Sequence, residues 1–457
     1  MGDKKEVVIR ESSYVIHSKE KALKRSITEG SAQEVSNSTG SSFITPFVLA
    51  IGGNSFHIGL LSAISALVSP IGQIFGSKAM EKHSRKKITI NSRGWQILLW
   101  VPIIALSFFY TFGIAPLFLP YALIVFYSLF VFIQGKGHVA WFSWMGDLVS
   151  VNERGKYFAK RNRVSGSIGL ITFIIAAFVL DYFKTQGYVL IGFSVLFFFS
   201  LIFREMSRRI SLRIFNPELR IKKGYYFSFK EFVRRYDNFG KFAFFHAVFN
   251  LSIMVASPFF AVYMLEDLNF NYVTFTVVTL SSTFFYLVFS PLAGKFSDRY
   301  GNVKLLYIAG VMFFLTPIFW LFLKEPIALI LLPGLSSGIA NAALVIGVTN
   351  FTYDSVSSQK RGLVVAYMSI LAGIGVFIGS LLGGFMIQYL NIDFMKPILF
   401  VFLISAILRG LVALFYLPQL KEERKTERMD GLHLNLLHPF RTIGSDIIWF
   451  KNFLHSK

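Results

Sequence analysis

The side chains able to do chemistry lie inside long apolar segments. Glu34, Asn37, Ser38, Ser41 and Thr45 recur at intervals of three and four in one such run, so on a helix they form a single polar stripe. The stretch QGKGH, Gln134 to His138, places an amide, an amine and an imidazole within another. Lys136 and His138 stand about 200° apart around a helix. Gln134, His138 and Trp141 therefore share one face, and Lys136, Ser143 and Asp147 share another. Further on, His246 and Asn250 are four residues apart, as are Ser337 and Asn341. Such groups are costly in hydrocarbon unless they meet water or a partner. They mark either a solvated binding cavity or hydrogen bonds between packed helices, and snorkelling is the alternative for Lys136. Lys136 and two histidines against Glu34 slightly favour an anionic or neutral polar ligand over a cation. His138, His246 and Glu34 are the groups that could carry a coupling proton. Coupling to H+ or to Na+ stays open, and no cofactor is expected.

Catalytic readings find little support. The chain has no cysteine, hence no thiolate metal site or cysteine nucleophile, and no His, Asp and Glu cluster has metal-ligand spacing. GQIFGSKA, from Gly72, has three residues between its glycines and Ala79 after Lys78. A phosphate-binding loop needs four, and Ser or Thr after the lysine. Neither an enzyme nor an ATP-driven pump is expected.

The elements that must position these residues are membrane helices. With 54% hydrophobic and 16% charged residues among 457, the chain is too apolar for an ordinary soluble protein. Twelve segments of about 20 apolar residues can be placed, each long enough to cross the ~30 Å hydrocarbon layer. An N-terminal segment, 1–30, precedes them. Residues 31–203 hold six spans, 204–241 form a basic central loop, 242–417 hold six more, and 418–457 form a basic tail. In the tail Phe440, Ile443, Ile447, Phe450 and Leu454 alternate at three and four, as in a helix lying in the interface. Of 46 lysines and arginines, 41 fall on the side holding both termini, three on the other (Lys184, Lys324, Lys396) and two inside spans (Lys136, Arg409). By the positive-inside rule both termini are cytoplasmic, in a multi-pass protein of the cell membrane. The net charge of +21 is thus a topology signal and implies no nucleic-acid partner. Arg409 reads as a residue that snorkels or pairs structurally.

The halves repeat. EKHSRKK from Glu81 follows the second span and DRYGNVK from Asp298 the eighth. GDLVSVNERG follows the fourth and YDSVSSQKRG the tenth, matching at five of ten positions, including Asp147 with Asp354 and Arg154 with Arg361. Asp298, at a helix C-terminus, and Arg361, at a helix N-terminus, are each poorly placed in their own dipoles and would stabilise each other. Gly294 would allow close approach and Gly301 a tight turn.

GKFSDRYGNVK, with Asp298 and Arg299 at its centre, resembles the signature Gly-x-x-x-Asp-Arg-x-Gly-x-x-(Arg/Lys) of the major facilitator superfamily. The first copy is looser, with Glu81, Lys82 and Ser84 at the Asp, Arg and Gly positions. The resemblance covers the whole chain. It implies an all-α membrane protein of twelve transmembrane helices in two pseudo-symmetric six-helix halves, with spans one, four, seven and ten lining a central cavity. Asn37, Ser41, Gln134, Lys136, His138, Trp141, His246, Asn250 and Asn341 would then line it. Glu81, Asp147, Arg154, Gly294, Asp298, Arg299, Asp354 and Arg361 would form latches that stabilise the outward-facing state. The function implied is alternating-access transport of a small organic solute by a monomer. The alternatives are a drug efflux antiporter, whose span-five motif is lacking, and a non-transporting sensor or assembly factor. The glycines Gly375, Gly379, Gly383 and Gly384 of span eleven read as close helix packing.

Overall fold

The computed structural model describes residues 13–149, 154–216, 228–356, 358–423 and 426, and among them the regular elements are helices. In the first half, α1 is Ser13–Thr39, α2 Ser55–Ala79, α3 Arg85–Thr111, α4 Leu119–Leu148, α5 Arg154–Thr185 and α6 Val189–Leu212. In the second, α7 is Asn238–Met254, α8 Tyr272–Tyr300, α9 Asn302–Phe322, α10 Leu335–Ser355, α11 Ser358–Tyr389 and α12 Pro397–Tyr416. Short 3-10 and π turns prolong α7 to Asp267, and a π turn precedes α10, where Pro333 interrupts the regular ladder.

Eleven spans among the described residues are long and apolar enough to cross a membrane. The twelfth is the broken first one. It begins at Ser13, earlier than residue 31, ends its first helix at Thr39, and resumes at Ile44–Ala50 after a 3-10 turn. Gly40 sits at the break, where an added Cβ would lie 2.4 Å from Ser200 Oγ and 2.5 Å from the Trp100 ring. Only glycine lets this bend press against α6 and α3. The sequence also ends the sixth span too early: α6 continues past Phe203 to Leu212. The 204–241 connection therefore starts as helix, and the amphipathic tail lies outside the described residues.

Helix starts are capped locally. Asn54 and His57 form a reciprocal box before α2, and Ser84, Asp237 and Asn271 accept first-turn N–H groups of α3, α7 and α8. Burial alone would raise the Asp237 carboxyl, but the Arg235 guanidinium and the Gly240 N–H outweigh it and hold the group below its ordinary value.

The halves meet along α2 with α11 and α5 with α8. Glycines set the spacing. Added Cβ atoms on Gly375, Gly379 and Gly383 would lie 2.2, 2.3 and 2.1 Å from the carbonyl oxygens of Ala247, Leu251 and Val255 on α7. Gly384 faces Gly59 of α2 across the halves. One hydrophobic cluster runs through both halves toward the face remote from the chain ends, joining Phe43, Phe47 and Ile58 to Val255, Phe259 and Tyr272. Toward the face that carries the chain ends the cores are separate, one in each half. Asp181 of α5 closes the remote face, accepting from the backbone N–H groups of Tyr272 (2.7 Å) and Val273 (2.9 Å) at the start of α8. The molecule is thus tied at its remote face and divided toward its terminal face.

Arg409 is 1% exposed, so it pairs and does not snorkel. It donates to Phe313 O at 2.9 Å and Ile253 O at 2.8 Å. Pro317 supplies no N–H to Phe313 O, and Ile253 O lies at the end of α7, where the regular ladder stops. The guanidinium supplies the donor that Phe313 O lacks and joins Ser257 Oγ, at 3.0 Å, on Ile253 O.

Candidate functional site

The polar stripe of α1 continues toward the chain start as Glu29 and Gln33, and it faces a cavity of about 200 Å³ within the first half. Glu29 is fully buried. It accepts from the guanidinium of Arg93 on α3, from Ser207 Oγ on α6 at 3.1 Å, and from Arg161 on α5 at 3.4 Å. Arg161 also lies over the Trp141 ring, 4.4 Å from its centre.

Arg204 of α6 is fully buried. It donates to the amide oxygens of Asn37 (3.0 Å) and Gln96 (3.3 Å), and its Nε has no hydrogen-bond partner. Glu34 faces the same space, 3.5 Å from the Asn37 amide. Three arginines thus meet two glutamates, and one arginine is held by neutral amides. A buried cation paired this way keeps much of its desolvation cost, so the cavity has positive potential to offer an anion.

The α4 face carrying Gln134, His138 and Trp141 lines this cavity. His138 is exposed although it is mid-helix, and its ring stacks with that of Trp141. Lys136 does not share the site. Pointing the other way round α4, it lines a separate cleft with His83 and Lys87, as the 200° offset requires. Ser41 lies in the 3-10 turn beyond Asn37, outside the cavity lining.

The second half contributes less polarity. Asn250 donates to His246 O at 2.7 Å, and Asn341 to Ser337 O at 2.8 Å. Each amide thus spends a donor on its own helix. His246 stacks on Phe242 with Nδ1 buried and without a partner. A separate, mostly apolar pocket of about 230 Å³ lies between Phe260, Trp320 and Ser337.

On the terminal face Glu81, Asp298 and Arg299 are exposed. Asp354 accepts from Asn302 Nδ2 at 2.7 Å, and Ser297 Oγ donates to Asn302 Oδ1 at 2.6 Å. Gly301 has φ +101° and backs onto Glu422, the tight turn its position predicts. Gly294 corrects its expected role: a Cβ there would meet nothing within 4 Å, so no close approach depends on it. The side chains of Asp147, Arg154 and Arg361 lie outside the described residues.

Sequence reasoning missed Glu29, Arg93, Gln96, Arg161 and Arg204. The arginines pass for loop charge because each lies near the end of an apolar run. The available signal was periodic: Glu29, Gln33 and Asn37 at intervals of four, Arg93 and Gln96 at three, Arg204, Ser207 and Ser211 at three and four.

Two six-helix halves around a polar interior, tied on one face and divided on the other, make up a multi-pass membrane protein built from two structural repeats. Residues 242–454 match the family described as Major Facilitator Superfamily. The solved structures agree in fold. A mutant of the nucleoside transporter NupG superposes with a TM-score of 0.67 at 13% identity, over 88% of this chain and all of that one. A D-xylose-proton symporter gives 0.64 at 15% identity, over 91% and 100%. In sequence, Multidrug resistance protein 1 of Bacillus subtilis (strain 168) is 30% identical over 102 residues, which span 22% of this chain and about a quarter (26%) of that protein. The family match thus covers the second half of the chain, and the chain as a whole shares its fold with these solved transporters.

Proposed function

We propose that this protein is a secondary active transporter that moves a small organic anion by alternating access, with its substrate held in the first-half cavity. The observation that carries this reading is Arg204, buried and bonded to two neutral amides in a cavity that Arg161 also lines. An anionic group between the two guanidiniums would supply the missing charge, while Trp141 and His138 offer ring faces to an organic body. With the terminal face cytoplasmic, the divided arrangement opens inward. Glu34 is the cavity carboxylate through which a coupling proton would act, since Glu29 is already held by two arginines.

The test is ligand-dependent melting of the purified protein against matched carboxylates, phosphates, neutral polyols and quaternary amines. Anions should raise the melting temperature, and Arg204→Gln should weaken that binding by about 30-fold or more, the ~2 kcal/mol scale of losing one partner of a buried charged contact. Stabilisation by quaternary amines alone would favour drug efflux instead, a reading supported by the apolar second-half pocket.

A further inference from the structure

A second basic site lies away from the cavity, where α1, α3 and α6 reach the terminal face. A cleft of about 340 Å³ there is lined by Lys21, Arg25, Lys86 and Arg213 together with Leu212 and Phe215, and no acidic side chain is among its lining residues. Its walls are fixed from within. Lys86 Nζ donates to Ile214 O at 2.9 Å, Trp144 Nε1 to Phe215 O at 2.9 Å, and Arg25 to Arg213 O. These bonds satisfy carbonyls at the end of α6 and fix the Lys86 and Arg25 heads at an opening that Lys21 and Arg213 also line. Lys86 and Arg25 retain further donors beyond their carbonyl contacts.

Next to the cleft, beginning about one turn further along the same two helices, runs a groove of about 390 Å³ lined by Ile90, Gly94, Trp95 and Leu98 together with Arg208 and Glu205, which pair with each other at 2.6 Å. At 1.5 Å per residue, Trp95 lies ~14 Å along α3 from Lys86. Trp95 and Leu98 are exposed, as are Ile202 and Met206 on α6, so this side of the bundle faces lipid. Gly94 leaves the groove open, since an added Cβ would touch only Arg208 Cδ, at 3.9 Å.

We propose that cleft and groove form one binding site for an anionic glycerophospholipid of the terminal-face leaflet, its phosphate among the four cations and an acyl chain along the α3 and α6 groove. Charge complementarity selects the occupant. A basic pocket between membrane helices at this depth takes an anionic headgroup, and the exposed apolar side chains of Trp95 and Leu98 along the groove suit the chain attached to it, the Glu205 carboxylate there being held by Arg208. A free phosphate would use the cleft and leave the groove empty.

The test titrates the full-length protein in detergent with short-chain phosphatidylglycerol, phosphatidylcholine of equal chain length, and glycerol 1-phosphate, reading bound lipid by native mass spectrometry. Phosphatidylglycerol should bind roughly tenfold or more tighter than phosphatidylcholine. The double variant Lys21→Glu/Arg213→Glu, at two exposed positions, should abolish that preference. Gly94→Leu should weaken both lipids while leaving glycerol 1-phosphate unchanged. Equal binding of the two lipids would overturn the proposal, as would an undiminished preference in the double variant. Glycerol 1-phosphate binding as tightly as phosphatidylglycerol would show a soluble-phosphate site instead. Variants are compared after melting curves confirm that they fold, and the cavity at Arg204 is untouched by any of them.

Discussion

Arg204 and Lys136 exchange the roles that hydropathy assigns them. Lys136 stands in the middle of an apolar run and looks like a binding group, whereas Arg204 follows Phe203 and looks like the first residue of a loop. The structure puts Lys136 in a side cleft and Arg204 fully buried beside Asn37 and Gln96. Hydropathy marks where apolar side chains stop, and α6 runs on for nine residues past Phe203, turning Ser207 and Ser211 inward. The α1 stripe and the Gln134, His138 and Trp141 face were legible because both follow helical period within a single segment. The partners of Glu29 were not, since they come from three other helices. Lys136→Ala should accordingly change anion affinity by less than about threefold, where Arg204→Gln costs 30-fold or more. A parallel titration of the two variants checks this, and equal losses would place the site in the wrong cleft.

Helix packing follows from the glycine spacing of α11. Its four-residue repeat reads as close approach in the sequence, and the structure supplies the surface approached, the α7 carbonyls of Ala247, Leu251 and Val255. What the repeat could not show is that its flank also meets α2 of the other half, at Gly384 with Gly59. A leucine at Gly379 would place a Cβ 2.3 Å from the Leu251 carbonyl oxygen, where backbone cannot yield without parting the helices. Gly379→Leu should destabilise the protein by about 1 to 3 kcal/mol or more, read as a lowered melting temperature. An unchanged melt would mean that α7 and α11 can separate at little cost. Gly294 shows the limit of such readings: the motif position is filled, and the space around it is empty.

The molecule as a whole has a closed face and a divided one, and Asp181 is the most specific tie on the closed side. Its carboxylate caps the first N–H groups of α8 from the other half, a contact that must break if that face is to open. The twelve-span, two-half architecture was legible from span count, charge asymmetry and repeated loops. Which face is tied was not, because the contacts that tie it join side chains and backbone of different helices in the two halves. Removing the cap should cost the closed-remote state about 1 to 2 kcal/mol, moving the ratio of the two states 5- to 30-fold toward remote-face opening. Distances between spin labels on α5 and α8 in Asp181→Ala report it, and an unshifted distribution would mean that the apolar cluster alone sets the state.

The central claim is that the first-half cavity is solvated and attracts anions, and the cysteine-free chain permits a direct measurement. A single cysteine at His138 is reacted with anionic and cationic thiosulfonates of similar size, each rate being divided by that of the reagent with a free small thiol. The account predicts a normalised anionic rate at least about tenfold above the cationic one, with the preference collapsing in Arg204→Gln. A normalised ratio of one or below, or no reaction with either reagent, would contradict it.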